Sequence, residues 1–90
     1  MRVDQFLKTS CLVKHRTEAK KACDLGVVTV NGRPVKASKD VRPGDIISVN
    51  SDSRFLEMEI LDIPPKQVSK KEAKKLYRII HDEHKKLLDF

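Results

Sequence analysis

Lys14, His15 and Arg16 stand side by side, and Lys20 and Lys21 follow within the next few residues. A guanidinium can fork across two phosphate oxygens, while lysine supplies a compact point charge, so this cluster suits a sugar–phosphate backbone. Residue types capable of metal or covalent chemistry are less well placed. His81 and His84 bracket Asp82 and Glu83, a spacing that sets both imidazoles near one side of a helix. The pattern offers no third ligand, and His84 falls on an apolar stripe, so packing is expected there and no metal. Cys11 and Cys23 lack the close paired spacing of a zinc or redox motif and read as buried free thiols. No serine, cysteine or carboxylate pair has an activating partner at motif spacing. The chain is expected to be no enzyme and to need no cofactor.

The elements that must carry these groups are short. Ninety residues make one domain, near the size at which a hydrophobic core alone can hold a fold. Only four aromatics are present, so that core must rest on Val, Ile and Leu. The net charge of +6 is uneven: +3 over residues 1–24, −1 over 25–63 and +4 over 64–90. A neutral middle between positive ends argues for a polyanionic partner more strongly than uniform basicity would. No apolar run is long enough for a membrane span, and the opening Met-Arg-Val-Asp leads into an amphipathic pattern without a leader-like stretch. No membrane partner and a cytoplasmic location are expected.

Helical spacing of Val3, Phe6, Leu7, Ser10 and Cys11 predicts a first helix from Arg2 to Leu12 or Val13, with Arg2, Gln5, Lys8 and Thr9 outward. Asp4 in its first turn favours the positive helix end and can reach Lys8. Thr17 is the expected N-cap of a second helix over 18–25, with Gly26 as its left-handed C-terminal stop. Val27–Val30, the Asn31-Gly32 turn and Arg33–Lys36 read as a hairpin whose Pro34 confines the return arm to an edge. Ile46–Val49 and Phe55–Ile63 read as two further strands, the second ended by Pro64-Pro65. Ser69 and Glu72 form a capping box, and Ala73, Leu76, Tyr77, Ile80, His84, Leu87 and Leu88 share one helical face. A basic amphipathic C-terminal helix is therefore expected.

Met1-Arg-Val-Asp-Gln-Phe-Leu-Lys, Lys14-His-Arg-Thr-Glu-Ala, Gly26-Val-Val-Thr-Val-Asn-Gly, Val35-Lys-Ala-Ser and Val41-Arg-Pro-Gly-Asp-Ile-Ile together resemble the RNA-binding domain of ribosomal-protein S4 type, the αL motif. The likeness covers about the first 50 residues. The short chain and the run Lys70-Lys-Glu-Ala-Lys-Lys-Leu-Tyr look most like the ribosome-associated quality control proteins of that family. The resemblance implies RNA contacts at Arg2, Lys14, Arg16, Thr17 and Lys20, with Asn31 bordering the face and Asp4 orienting Arg2 or Arg16. Lys8 belongs to the same candidate set, and His15 stands where a second arginine or lysine is frequent. The partners implied are rRNA of the large ribosomal subunit, tRNA and a nascent-chain tailing factor, with the chain monomeric when free.

The fold expected is α+β: two N-terminal helices packed on a small, mainly antiparallel sheet, plus the C-terminal amphipathic helix. Residues 1–65 would form the RNA-binding domain and 66–90 the basic helix packed on it. The function expected is non-catalytic binding of rRNA and tRNA on stalled ribosomes in support of C-terminal tailing. A heat-shock-type large-subunit rescue factor and a general structured-RNA module are the alternatives. Residues 1–25 superficially pass for a helix-turn-helix, but the second helix is too short and alanine-rich to present several base-reading side chains. Few aromatics are available to stack single-stranded bases, which favours recognition of RNA by shape and phosphate geometry.

Overall fold

The computed structural model describes residues 1–84. Two short helices, α1 (Val3–Thr9) and α2 (Arg16–Asp24), precede strands β1 (Val28–Val30), β2 (Arg33–Pro34), β3 (Ile46–Asn50) and β4 (Arg54–Ile60). A single helical turn, α3 (Lys70–Ala73), leads into β5 (Tyr77–His84). The sheet is antiparallel in every pairing, in the order β2-β1-β3-β4-β5. The α+β class and the N-terminal arrangement agree with the sequence reading.

Both N-terminal helices end in the same hydrogen-bonded lock. In α2 the Gly26 amide donates to Cys23 O and the Val27 amide to Ala22 O, with Gly26 at φ +74°. This is the Schellman arrangement, for which glycine is the usual left-handed residue. In α1 the Cys11 amide donates to Lys8 O and the Leu12 amide to Leu7 O, with Cys11 at φ +62°. A cysteine thus occupies the position normally marked by glycine, which is why α1 stops at Thr9 rather than at Leu12 or Val13. It also turns Cys11 to solvent and leaves Thr9 buried, the reverse of the expected facing. Cys23 is buried as expected, and burial aided by the Asp4 and Asp24 charges pushes its thiol up, away from the reactive thiolate.

Among the described residues the core is built mainly from Val, Leu, Ile and Ala, with Phe6, Met58 and Cys23. Val3, Phe6 and Leu7 of α1 and Ala19 of α2 pack on Val28, Ile47, Leu56, Met58 and Ile60 from one face of the sheet. Strand residues of the other parity, Thr29, Ser48, Glu57 and Glu59, point away from the helices. Asn31 at φ +53° and Gly32 at φ +83° make the expected tight hairpin turn between β1 and β2. The chain then returns along the start of α1. Lys39 O accepts from the Val3 amide at 2.7 Å and Ala37 O from the Asp4 amide at 3.3 Å, so this segment satisfies the first donors of α1.

The C-terminal helix is a correction. Ser69 does cap α3, its side chain accepting from the Glu72 amide, but the helix ends after one turn. Residues 77–84 form β5 against β4, and residues 85–90, with Leu87 and Leu88, lie outside the described residues. The reason is long-range pairing. Without β5, β4 would leave a seven-residue edge of unpaired backbone groups, and Tyr77, Ile79 and Ile80 have side chains that favour strands. Cross-strand pairs then fix the register. Arg54 grips Asp82 at 2.9 and 2.8 Å, Arg78 reaches Glu59 at 2.6 Å, and His81 meets Phe55 edge-to-face with 5.5 Å between ring centroids. The Arg54 guanidinium holds the Asp82 carboxyl below its ordinary range. In a strand His81 and His84 point to opposite faces, and both are exposed, so His84 does not take the packing role expected of it.

Candidate nucleic-acid interface

The site is organised around a buried carboxylate. Asp4, in the first turn of α1, is only 2% exposed. Its Oδ1 accepts the Gln5 amide at 2.7 Å, and its Oδ2 accepts both Arg2 Nη2 at 3.1 Å and Arg16 Nε at 3.3 Å. The two arginine side chains are 43% and 46% exposed. Each therefore spends one donor inward and keeps others at the surface. Arg2 Nε is enclosed without an acceptor, so the Nη2 bond to Asp4 is what holds that guanidinium. A buried charge is tolerated only when paired, and this one is paired twice.

Local structure explains the convergence. Arg2 is the N-cap of α1 and Arg16 the first residue of α2, and the two helices pack directly on one another. The N-cap of α2 is His15, not Thr17: the His15 carbonyl accepts the Glu18 and Ala19 amides at 3.1 and 3.4 Å. Starting the helix two residues earlier places Arg16 and Lys20, four apart, on the same face. Thr17, Lys20 and the preceding Lys14 are exposed around that face, as is the His15 side chain.

Two candidates fall elsewhere. Lys8 does not pair with Asp4; its Nζ donates to Gln67 Oε1 at 3.2 Å, at the opposite end of α1 from Arg2. Asn31 spends both polar ends within the chain, donating to Asp45 Oδ1 at 3.1 Å and accepting the Ile46 amide at 2.9 Å. Turn closure accounts for it.

Beside this face lies a group that the sequence reading passed over. Arg33, Lys36, Lys39 and Arg42 line an open groove of about 1150 Å³ between the hairpin and the returning segment. Residues 25–63 sum to −1, and that sum hid them. Position along the strands would have separated the charges, since Glu57 and Glu59 sit at outward positions of β4 while the four cations lie in loop and edge segments. Among the described residues no cluster of metal-ligating side chains occurs, and no helix is long and apolar enough to cross a membrane.

The S4 domain family matches residues 1–47, which comprise α1, α2, the hairpin and the start of β3. The chain belongs to the S4 domain family. Among its relatives, a protein of Bacillus subtilis strain 168 named RQC P-site tRNA stabilizing factor is 40% identical over 83 residues, 92% of this chain and 95% of the relative. The likeness therefore extends beyond the S4 domain into β4 and the C-terminal segment. Among solved structures, the solution structure of the hypothetical protein HP1423 superposes with a TM-score of 0.78 at 38% identity, covering 92% of this chain and all of that one. The trimeric Vibrio cholerae Heat Shock Protein 15 gives a TM-score of 0.80 at 29% identity over 88% of this chain and 80% of its own.

Proposed function

We propose that this S4-domain protein binds structured RNA without catalysis and acts in ribosome quality control, contacting rRNA of the large subunit and tRNA on stalled ribosomes. The observation that carries the reading is the pair of half-exposed guanidinium groups aimed by one buried carboxylate, on a domain 40% identical across most of its length to a named RQC P-site tRNA stabilizing factor. Arg2 and Arg16 take phosphate oxygens, Lys14, His15, Thr17 and Lys20 add charge and hydrogen bonds around them, and Asp4 positions the arginines. Asn31 borders the face and Lys8 contributes at its far end. A nascent-chain tailing factor is the protein partner, and the chain is a cytoplasmic monomer when free. The 1–65 segment carries the RNA contacts, and the remainder supports the fold.

Cosedimentation with large ribosomal subunits, with and without trapped peptidyl-tRNA, tests this reading. Wild type is expected to bind more tightly when peptidyl-tRNA is present. Arg16→Ala is expected to lose about 1 to 3 kcal/mol, roughly 5- to 150-fold. Equal binding by the variant would remove Arg16 from the interface. The 29% identity with Heat Shock Protein 15 favours one second reading, a heat-shock-type large-subunit factor with no part in tailing. Association with subunits independent of the tailing factor would select that reading.

A further inference from the structure

The groove beyond the arginine pair has no role in the reading above. Its cations come from both walls: Arg33 from β2, Lys36 and Lys39 from the segment after it, and Arg42 from the approach to β3. All four are exposed, and among the described residues none has a hydrogen-bond or ion-pair partner for its side chain. The contrast with the arginines of β4 and β5 is informative, because Arg54 and Arg78 are both spent on carboxylates.

Two acids share the groove, and both have partners within the chain. Asp45 accepts Asn31 Nδ2 through Oδ1 and the Arg42 amide through Oδ2. Asp40, though exposed, lies 4.0 Å from the N-terminal ammonium, so the groove's four cations exceed its two acids by two and neither acid pairs with their side chains. Arg42 is thus held close to Asp45 by its backbone while its guanidinium stays unpaired. Like-charged side chains left unpaired along a concave surface raise the local concentration of anions.

The groove also adjoins the first site through the backbone. Lys39 O and Ala37 O bond the Val3 and Asp4 amides, and Arg2 forms an isolated bridge with Asp40. Lys36 and Lys39 therefore flank the start of α1, where Arg2 and Asp4 sit. A ligand leaving the arginine pair in this direction meets further positive charge rather than a neutral wall.

We infer that this groove is a second sugar–phosphate binding site, which takes an RNA backbone segment distinct from the one held by Arg2 and Arg16. The inference rests on the RNA-binding reading and extends the interface from α1 and α2 to the hairpin side of the domain. It assigns phosphate contacts to Arg33, Lys36, Lys39 and Arg42. Binding here is by charge and contour, because the groove offers no aromatic ring for stacking.

The test compares four full-length proteins on purified large ribosomal subunits across a salt series: wild type, K36A/K39A/R42A, K66A/K70A/K71A and R16A. The two triple variants lose the same formal charge, but the second set lies outside the groove. All substituted lysines and arginines are exposed, and thermal melts followed by circular dichroism check that each variant is folded. Every phosphate that the protein no longer neutralises makes the plot of log affinity against log salt shallower by roughly 0.7 to 0.9. The groove variant is expected to bind about tenfold more weakly with a slope shallower by roughly 2 to 3, while the matched control stays within about threefold of wild type. A groove variant that behaves like wild type, or no worse than the control, overturns the second site. In that case weaker binding by R16A alone leaves the RNA-binding reading standing. Failure of wild type to bind at low salt overturns both.

Discussion

Asp4 places a negative charge in the middle of a positive face, and the two guanidinium groups bound to its Oδ2 give that placement a purpose. Asp4→Asn separates orientation from bulk attraction, because the two predict opposite signs. The substitution raises the net charge above +6, so simple electrostatics expects tighter RNA binding. If Asp4 acts by aiming Arg2 and Arg16, affinity falls instead, by an expected fivefold or more in a filter-binding or anisotropy assay. Stability falls as well, by about 1 to 3 kcal/mol in urea unfolding, since the carboxylate's charge-assisted bonds are removed. A fully buried pair would cost more, but here both cations are half in water, which weakens the effect.

At the scale of elements, β5 separates what the residue pattern determines from what pairing determines. Residues 70–84 contain a good N-terminal cap and helical spacing, yet only the first turn is helical. Hydrogen exchange gives a clear test: on an edge strand, amides facing β4 are protected and those facing outward are not. Protection over 77–84 is expected to alternate, interrupted at the irregularity opposite Glu57 and Met58, where a helix would protect a continuous run. The hairpin, the α2 stop and the core strands were readable because Asn31, Gly32 and Gly26 state their backbone geometry in residue type. The α1 stop was not, since Cys11 adopts a left-handed conformation that its identity does not advertise. In the site, Arg2, Asp4 and Arg16 were legible as a group through family resemblance. The groove cations were not, because their proximity depends on the path from β2 to β3.

For the whole molecule, the sheet and the helix–hairpin side use their charges differently. On the sheet, Glu59 pairs with Arg78 and Asp82 with Arg54, while the cations of α1, α2 and the hairpin keep donors open to solvent. The small core that keeps these surfaces apart has little to spare. Phe6 is fully buried and, among the described residues, is the one aromatic of the buried core, joining α1 to the sheet. Phe6→Ala is expected to cost about 3 to 5 kcal/mol, a large share of the roughly 5 to 15 kcal/mol typical of a domain. Chemical denaturation should show the variant largely unfolded or close to it at 37 °C. A midpoint unchanged from wild type would mean that the packing of α1 on the sheet contributes little.

The backbone bonds from Lys39 and Ala37 to the first amides of α1 have a consequence for when recognition becomes available. Asp4 belongs to one helix, Arg16 to another, and the carbonyls that secure the start of α1 come from the far side of the hairpin. A fragment ending at residue 25 contains the cations of the first cluster but lacks the scaffold that directs them. As the chain is synthesised, positive charge accumulates gradually, whereas an ordered binding face arrives in a single late step, after residues near position 40 have joined those near position 3. A nascent copy of this protein should therefore be blind to its RNA until at least the first 40 or so of its 90 residues have emerged and folded together.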